Sequence, residues 1–479
     1  MKYDRDLLVV GGGAAGLTAA GMGAVLGAST TLIEAGKLGG DCTWHGCVPS
    51  KSFLKAAKVA HEMRNAKRYG LTAADPEHDF AQVMGRVRAI REHVYEDADA
   101  PPNMEKLGVE ILQGKARFLD PHTLEVSGSG GIRKLSARKI VLATGSKPRM
   151  PVLEGRDALP VLTNESIFEL QKLPRRLVIL GSGPIGMEMA QAFRRLGSEV
   201  TVVNRSAGIL SRDDRELSEL LLTHLRGEGI QFVFGTTIKA LEPEMVITED
   251  GQRLDADALL IAAGRRPNIE SLQLEVAGVA TNEKGVIVDK RCRSSVSHIF
   301  ACGDVAGRFL FTHMAEHMAK TAVTNSILRV PASIDEDHIT WSTFTDPELA
   351  QLGRTEEELK SAGKKFAVYR FPYSRLDRAI TESEPTGMVK VMADRWGKIL
   401  GASILGAHAG ELIAELAVAM KNGVSLSGIS STIHAYPTYA LANRRVADQY
   451  VSGFLSPRVV SWIQFLFRLR GSNQGVRNL

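Results

Sequence analysis

The chain has 479 residues, of which 44% are apolar and 24% are charged, and its formal net charge is +5. This length predicts about three domains, and the small net charge disfavours a protein that binds nucleic acid. No apolar run reaches the roughly 20 residues that span a bilayer, and the first residues lack the charged and apolar regions of a secretory signal, so we expect a cytoplasmic protein.

Residues 5–34 predict a strand, a glycine-rich turn, a helix and a second strand. The turn has the pattern G-x-G-x-x-G, formed by Gly11, Gly13 and Gly16. These glycines permit a tight turn, close approach of a pyrophosphate, and contact between helix and strand. Glu34 ends the second strand, 23 residues after Gly11, where a carboxylate can accept both hydroxyls of an adenosine ribose. The unit therefore predicts a dinucleotide-binding site.

Two cysteines, Cys42 and Cys47, follow in the segment GGDCTWHGCVPSK. A structural zinc site needs four ligands, yet the other cysteines, Cys292 and Cys302, are distant single residues. A close pair in a cysteine-poor cytosolic chain is typical of a redox-active dithiol, with a structural disulfide or half of a zinc site as the alternatives. We expect both thiols at the start of the helix that holds Lys51, since a helix N-terminus stabilises a thiolate.

A second unit of the same kind is predicted at residues 177–205. Its turn contains the glycines Gly181, Gly183 and Gly186. Asn204 stands at the position of the terminal acid, and Arg205 follows it. A carboxylate would repel a 2′-phosphate, whereas an arginine can bind one through two hydrogen bonds, and Arg212 can act as a second clamp. The pattern predicts a preference for NADPH over NADH; the alternative is an arginine that only faces solvent.

Together these motifs resemble the class I pyridine nucleotide–disulfide oxidoreductases, the family of glutathione reductase, dihydrolipoamide dehydrogenase and mercuric reductase. The segments 143–145, 262–268, 299–304 and 344–348 also match the family. The resemblance implies an α/β fold with two Rossmann-type dinucleotide-binding domains, for FAD and NAD(P), and an α+β C-terminal dimerisation domain. The implied units are an FAD-binding domain at 1–150 and 276–335, an NAD(P)-binding domain at 151–275, a dimerisation domain at 336–455 and an amphipathic basic tail at 456–479.

The resemblance also implies roles for individual residues. Electrons would pass from NADPH through FAD to the cysteine pair, with Cys47 as the thiolate beside the flavin and Cys42 as the thiol that faces the acceptor. Lys51 would lie near the flavin and pair with Glu188. The residues implied for FAD are Gly11, Gly13, Gly16, Glu34, Ala116, Thr144, Gly145 and Asp304. Those implied for NADPH are Gly181, Gly183, Gly186, Asn204, Arg205, Arg212 and Gly264.

One segment departs from the disulfide-reducing members, which carry a His-Pro-Thr-x-x-Glu motif. Here Tyr436 occupies the histidine position and Leu441 the glutamate position. A phenol with a pKa near ~10 is a poor proton shuttle at neutral pH, and such catalysis is worth roughly 10²–10⁴-fold, so we expect poor reduction of glutathione disulfide and lipoamide. Tyr436 favours a mercuric reductase-like enzyme, although no cysteine follows Cys302 where such enzymes carry a vicinal pair. His45 and His434 are alternative proton donors.

Six arginines and one acid follow Asn443 and account for the net charge of +5. Ser456 and Pro457 predict the start of a helix over 457–470, roughly 21 Å long and too short to span a membrane. Its apolar face would either dock on the dimer or contact an anionic membrane surface.

The sequence therefore predicts a homodimeric, FAD-dependent NADPH oxidoreductase with catalytic residues Cys42, Cys47, Lys51, Glu188 and Tyr436. Its acceptor would be a thiol-reactive small molecule or a soft metal ion, as in mercuric reductase. The alternatives are an electron-transfer partner of a membrane protein or quinone, a flavin redox sensor, and a disulfide reductase of the dihydrolipoamide dehydrogenase type. Neither a resident metal nor a nucleic-acid partner is expected.

Overall fold

The first sheet is formed by the N-terminal part of the chain and extended by a later strand. The computed structural model describes residues 2–76 and 79–471. The elements of the first part are β1 (Arg5–Val10), β2 (Thr30–Glu34), β3 (Val109–Gln113), β4 (Lys115–Asp120), β5 (Thr123–Gly128), β6 (Gly131–Leu142) and β7 (Ser146–Pro148), with α1 (Ala14–Val25), α2 (Gly40–Trp44), α3 (Cys47–Arg64), α4 (Phe80–Val94) and α5 (Pro101–Lys106). The strand order is β3-β2-β1-β6-β5-β4, and β1 runs parallel to β2 and β6. Leu7 and Leu8 of β1 point to opposite faces of the sheet and are both fully buried, as expected for a central strand that is covered on both faces.

The second sheet repeats the parallel architecture of the first. Its part of the chain contains β8 (Val161–Leu162), β9 (Arg176–Leu180), β10 (Glu199–Asn204), β11 (Gln231–Phe234), β12 (Ile238–Glu242), β13 (Met245–Thr248), β14 (Arg253–Asp255), β15 (Ala258–Ile261) and β16 (Arg265–Pro267), with α6 (Pro184–Arg195) and α7 (Arg215–Gly227). The strand order is β11-β10-β9-β15-β8, with parallel pairs throughout. Strands β7 and β16 pair with each other, so the two chain crossings between the sheets lie side by side.

The chain then returns to the first sheet. This part contains β17 (Thr281–Asn282), β18 (Gly285–Val286), β19 (Ile299–Ala301) and α8 (Thr312–Val323). Strand β19 pairs in parallel with β6 and is the seventh strand of the first sheet. Leu8, Val141 and Phe300 lie in one hydrophobic core, which therefore joins residues nearly 300 positions apart.

The last sheet is antiparallel. It is built from β20 (Thr340–Thr343), β21 (Glu348–Gly353), β22 (Ala367–Pro372), β23 (Met388–Ala393) and β24 (Ile399–Gly406), with α9 (Glu356–Ser361), α10 (Asp377–Thr381), α11 (Ala409–Lys421), α12 (Leu426–Ser431) and α13 (Leu441–Ser452). The order is β20-β21-β24-β23-β22, and Val391, Ile404 and Leu416 lie in its core. The predicted fold class, two Rossmann-type units followed by an α+β unit, is confirmed.

A buried cluster of charges joins the nucleotide-binding unit that contains β8–β16 to the last sheet. Lys390 on β23 has a side chain only 2% exposed, and its ammonium lies 2.8 Å from Asp214 Oδ2, 2.9 Å from Glu216 Oε2 and 2.7 Å from Glu356 Oε2. Burial alone would lower the pKa of Lys390, but the hydrogen bonds to these three carboxylates hold that pKa above its ordinary value. The lysine is therefore charged and shared between the two units.

The C-terminal helix α14 (Pro457–Phe467) is shorter than the predicted helix over 457–470. Ser456 caps it by accepting a hydrogen bond from the Val459 amide at 3.3 Å, and Arg468 ends it in a left-handed conformation with φ +54°. Residues 472–479 of the predicted tail lie outside the described residues. Among the described residues, no helix is long and apolar enough to cross a bilayer.

Candidate active site

Two positions of the first glycine turn, Gly11 and Gly16, accept only glycine. Gly11 has φ +105°, and a Cβ there would lie 2.3 Å from the carbonyl oxygen of Ala143. A Cβ on Gly16 would lie 1.7 Å from the carbonyl oxygen of Gly11. Gly13 precedes α1 without a side-chain cap, and the first turn of that helix carries no acid. Its N-terminal amides are therefore available to an anion such as a pyrophosphate, which fits FAD.

Glu34 lies at the end of β2, facing this turn. Its carboxylate accepts hydrogen bonds from the amides of Gly12 at 2.5 Å and Gly36 at 2.6 Å. These bonds hold the carboxylate beside the glycine turn, where the ribose of a bound dinucleotide would lie.

The other predicted FAD residues occupy different parts of the first unit. The Thr144 hydroxyl donates to the carbonyl oxygen of Asn268 at 2.7 Å, and Gly145 has φ +67°. Asp304 accepts from the Ser146 hydroxyl at 2.5 Å, and burial raises the pKa of its carboxyl. Ala116 is buried in β4. The polar members of this set fit a nucleotide cofactor, and Ala116 packs in the core of the first sheet.

The second glycine turn has the same geometry. A Cβ on Gly181, which has φ +111°, would lie 2.4 Å from the carbonyl oxygen of Ala262. A Cβ on Gly186 would lie 2.1 Å from the carbonyl oxygen of Gly181. Gly183 precedes α6, and the first turn of α6 has no acid. Gly264 has φ +108°, and no neighbouring heavy atom of the described residues lies within 4 Å of the position that its Cβ would take.

The segment after β10 carries the residues predicted to select NADPH. The Asn204 side-chain amide donates to the carbonyl oxygens of Ser206 at 3.1 Å and Gly208 at 3.2 Å, which orders the loop. Arg205 and Arg212 are exposed, and neither guanidinium forms an ion pair within residues 2–76 and 79–471. Both cations are available to a ligand, as the prediction requires.

The two cysteines lie on two successive helices. Cys47 is the first residue of α3, as expected. The expectation that Cys42 belongs to the start of the same helix is wrong, because Cys42 lies in the short helix α2. Gly46, with φ −124° and ψ −114°, has a non-helical backbone and separates α2 from α3. Both are free thiols, and the Thr312 hydroxyl lies 3.5 Å from Cys47 Sγ.

The electrostatics of the pair distinguish the two thiols. A hydrogen bond from Cys42 lowers the pKa of Cys47 to about 6; burial opposes the shift, and the Lys51 ammonium and the Thr312 hydroxyl support it. The same hydrogen bond raises the pKa of Cys42, with burial as the next cause. The reduced pair is therefore a Cys47 thiolate beside a Cys42 thiol, an arrangement in which one sulfur is a nucleophile or soft ligand at neutral pH.

Lys51 and Glu188 form an ion pair next to this thiolate, as the resemblance implies. The Lys51 ammonium lies 2.9 Å from Glu188 Oε2 and 3.1 Å from Oε1. Glu188 is 4% exposed and also accepts the Phe344 amide at 3.0 Å. Because Lys51 lies on α3 and Glu188 on α6, the pair connects the dithiol helix with the second nucleotide unit.

Tyr436 lies on an exposed loop of the last unit, with 69% of its surface exposed. Its hydroxyl donates to Asp377 Oδ2 at 2.9 Å, and this hydrogen bond raises the pKa of Tyr436. Leu441 is 8% exposed and packs in the core of the last unit. Leu441 therefore has a packing role, and a glutamate at this position would place a carboxylate among apolar side chains.

The two alternative proton donors differ in their surroundings. His434 has both ring nitrogens engaged, with Nε2 2.7 Å from Glu415 Oε1 and Nδ1 3.0 Å from the carbonyl oxygen of Thr432. His45 has a buried Nδ1 without a hydrogen-bond partner in the structure. His434 is therefore a structural link between two segments of its own chain, whereas His45 retains a free ring nitrogen.

Three residues of this region carry no local signal in the sequence. Thr312, Asp377 and Glu415 contact predicted residues that are 265, 59 and 19 positions away along the chain. Each contact arises from packing between separate elements, and each residue type is also common on protein surfaces. The composition of a short segment could not have identified them.

Comparison with known proteins agrees with this architecture. A family model described as pyridine nucleotide-disulphide oxidoreductase matches residues 5–319, and a model of that family's dimerisation domain matches residues 339–445. Mercuric reductase of Lysinibacillus sphaericus is 34% identical over 448 residues, which cover 91% of this chain and 80% of that protein. Dihydrolipoyl dehydrogenase 2 of Haloarcula marismortui is 35% identical over 460 residues, which cover 92% and 96%.

A solved structure is also similar along nearly the whole chain. The Cu(II) complex of the HOCl-induced flavoprotein disulfide reductase RclA from Escherichia coli has a TM-score of 0.84 at 27% identity, covering 94% of this chain and 100% of that one. With family models over most of its length and relatives above 30% identity, the chain belongs to the FAD-dependent pyridine nucleotide-disulphide oxidoreductases and carries their dimerisation domain.

Proposed function

We propose that the chain is an NADPH-dependent flavoprotein that reduces a soft, thiol-binding metal ion, with Hg(II) as the first candidate. The observation that carries the proposal is the Cys47 thiolate beside a protonated Cys42, with Tyr436 hydrogen-bonded to Asp377 at the position of the family's histidine. Thiolates are the ligands that soft metal ions prefer, so the pair has the chemistry to capture the acceptor.

The cofactor roles follow from the two glycine turns. The first turn and Glu34 would hold FAD, and the second turn would hold the nicotinamide cofactor. FAD, when bound, would pass electrons from NADPH to the acceptor site. Arg205 and Arg212 would bind the 2′-phosphate, which supports NADPH over NADH because β10 ends in Asn204 and not in a carboxylate.

The proton chemistry favours a metal ion over a disulfide as the acceptor. Reduction of a disulfide releases a thiolate that must be protonated, a task for a group that titrates near neutral pH. The hydrogen bond to Asp377 raises the pKa of the Tyr436 phenol, His434 has both ring nitrogens engaged, and the Nδ1 atom that His45 leaves without a partner among the described residues is buried. Two-electron reduction of Hg(II) to Hg(0) by NADPH yields NADP⁺ and one proton, so no proton is required by the product.

The names of several relatives are compatible with a metal acceptor. Mercuric reductases from three bacteria match at 32–34% identity, and the solved RclA structure is described as a Cu(II) complex. Dihydrolipoyl dehydrogenases match at similar identity, so similarity alone does not select the acceptor.

We also infer a homodimer in which the exposed loop bearing Tyr436 reaches the partner's dithiol, as the resemblance to the family implies. The exposure of Tyr436 and of Ile433, at 92%, supports this assembly, since a partner would cover both.

The proposal is tested by NADPH oxidation with Hg(II), Cu(II), glutathione disulfide, lipoamide and a quinone as separate acceptors. We expect Hg(II) to support turnover with release of Hg(0), and the disulfides to be slower by about 10²-fold or more. Cys42→Ser and Cys47→Ser should abolish Hg(II) turnover, whereas Cys292→Ala, at a buried cysteine outside the pair, should retain it. Fast lipoamide reduction with no metal turnover would refute the proposal.

A further inference from the structure

We infer that residues 454–471, here called the C-terminal segment, bind the surface of an anionic membrane. This inference is independent of the proposed acceptor. The segment contains α14, which has no buried residue in the structure. It also lies beyond residue 445, where the match to the dimerisation domain ends.

The segment exposes an unusual density of large apolar side chains. Phe465 is 84% exposed, Phe467 65% and Trp462 64%. The remaining members are Phe454, Leu455, Val459, Leu466 and Leu469, exposed by 39% or more. Soluble proteins rarely present so many adjacent apolar groups unless another surface covers them.

The helix has a broad apolar face. At about 100° per residue, its apolar positions from Trp462 round to Val460 span an uninterrupted arc of about 160°. Arg458, Ser461 and Gln464 lie on the other side together with Phe465, and the Gln464 amide donates to the carbonyl oxygen of Gly471 at 2.6 Å. Since a helix that docks on a folded protein needs an apolar stripe of only about 100°, such docking would leave part of this arc, and Phe465, in water.

The charges of the segment favour anionic lipid as the surface. Arg458 lies at the start of the helix, and Arg468 and Arg470 follow its end. No acidic residue follows Asp448 in the sequence. Arginines at both ends of a short apolar helix can contact lipid phosphates while the aromatic side chains enter the interface. With 11 residues, or about 16 Å, the helix would lie in the plane of the surface.

The connection to the body is compatible with this orientation. Phe454 packs edge-on against Tyr450 of α13, with ring centroids 5.0 Å apart. This contact fixes the start of the segment on the last sheet and its helices α9–α13, here called the dimerisation unit. The helix that follows is free to present its apolar arc to a flat surface.

The test uses the full-length FAD-loaded protein and sedimented vesicles of phosphatidylcholine, with and without phosphatidylglycerol. We expect binding only to the anionic vesicles, weakened by salt because the Debye length shortens to about 3 Å at 1 M. Arg468→Gln and Arg470→Gln should each lower affinity about fivefold. Trp462→Ser with Phe465→Ser should lower it about 100-fold.

Two matched controls separate this surface from exposed groups in general. Trp396→Ser removes a tryptophan that is 68% exposed, and Arg175→Gln removes an arginine whose side chain is 82% exposed. Both variants should bind vesicles as the wild type does. All variants should keep NADPH oxidation with a soluble acceptor, so a failure of the proposed function would not affect this test.

Three results would overturn the inference. The first is that the wild-type protein binds neither kind of vesicle, and the second is that it binds both kinds equally. The third is a change in the mass measured by sedimentation when Trp462 and Phe465 are replaced. The last result would assign the helix to a contact with a second copy of the chain. The salt dependence of the wild type needs no substitution, so it decides the matter even if a variant fails to fold.

Discussion

The most direct test of the site is a measurement of the pKa of Cys47. Its pKa of about 6, against an ordinary value of 9.0, means that about 90% of Cys47 is ionised at pH 7 instead of about 1%. Because the thiolate is the form that alkylates, the rate of reaction with iodoacetamide should rise with pH through a midpoint near 6.

The cause of the lowered pKa of Cys47 can be tested by replacing Cys42, which donates the hydrogen bond. The largest contribution comes from the hydrogen bond of Cys42. Hydrogen bonds to charged groups are worth about 1.5–3 kcal/mol, equivalent to roughly 1–2 pKa units. Cys42→Ala should therefore raise the midpoint by about one unit or more, whereas Cys42→Ser keeps a hydroxyl donor and should shift it less.

The assay is the pH dependence of Cys47 alkylation, followed by mass spectrometry on anaerobically reduced protein. Peptide mapping separates Cys47 from Cys42, whose pKa is raised by the same hydrogen bond. A wild-type midpoint at 8 or above would refute the assignment of Cys47 as the resting thiolate. An unchanged midpoint in Cys42→Ala would refute the hydrogen bond as its cause.

Three further predictions concern the groups around the dithiol and the second nucleotide site. Glu188→Gln removes a negative charge that raises the pKa of Cys47, so the alkylation midpoint should fall below that of the wild type; a rise would contradict the ion-pair geometry. Arg205→Ala should lower kcat/KM for NADPH by roughly 10- to 150-fold and leave that for NADH unchanged, as measured by steady-state kinetics; equal losses would mean that the arginine does not select the phosphate. Tyr436→His should raise lipoamide reduction by about tenfold or more, and adding Asp377→Asn should remove the gain if Asp377 orients the new imidazole.

The sequence predicted the features that depend on local pattern. Gly11 and Gly181 were identified because a tight turn with positive φ accepts little else, and the structure gives them φ +105° and +111°. The pairing of Lys51 with Glu188 could be expected only from the family, since no spacing rule relates residues 137 positions apart.

Other features depend on tertiary packing and could not be predicted. Asp377 meets Tyr436 through the fold of the last unit, and Glu415 meets His434 in the same way. The prediction that Cys42 begins the same helix as Cys47 was also wrong. The backbone at Gly46 is not helical, so Cys42 lies in the separate short helix α2. A helix break of two residues, His45 and Gly46, leaves little trace in hydrophobic periodicity.

The Lys390 cluster has a consequence for how the protein can be divided. Two of its three carboxylates, Asp214 and Glu216, belong to the nucleotide-binding unit, while the lysine lies on a strand of the dimerisation unit. A fragment beginning near residue 336 would lose Asp214 and Glu216 together with part of the packing around the ammonium, and so the charged contact between the two units. We therefore expect the unfolding of the dimerisation unit to be coupled to that of the nucleotide-binding unit, in a single transition on heating.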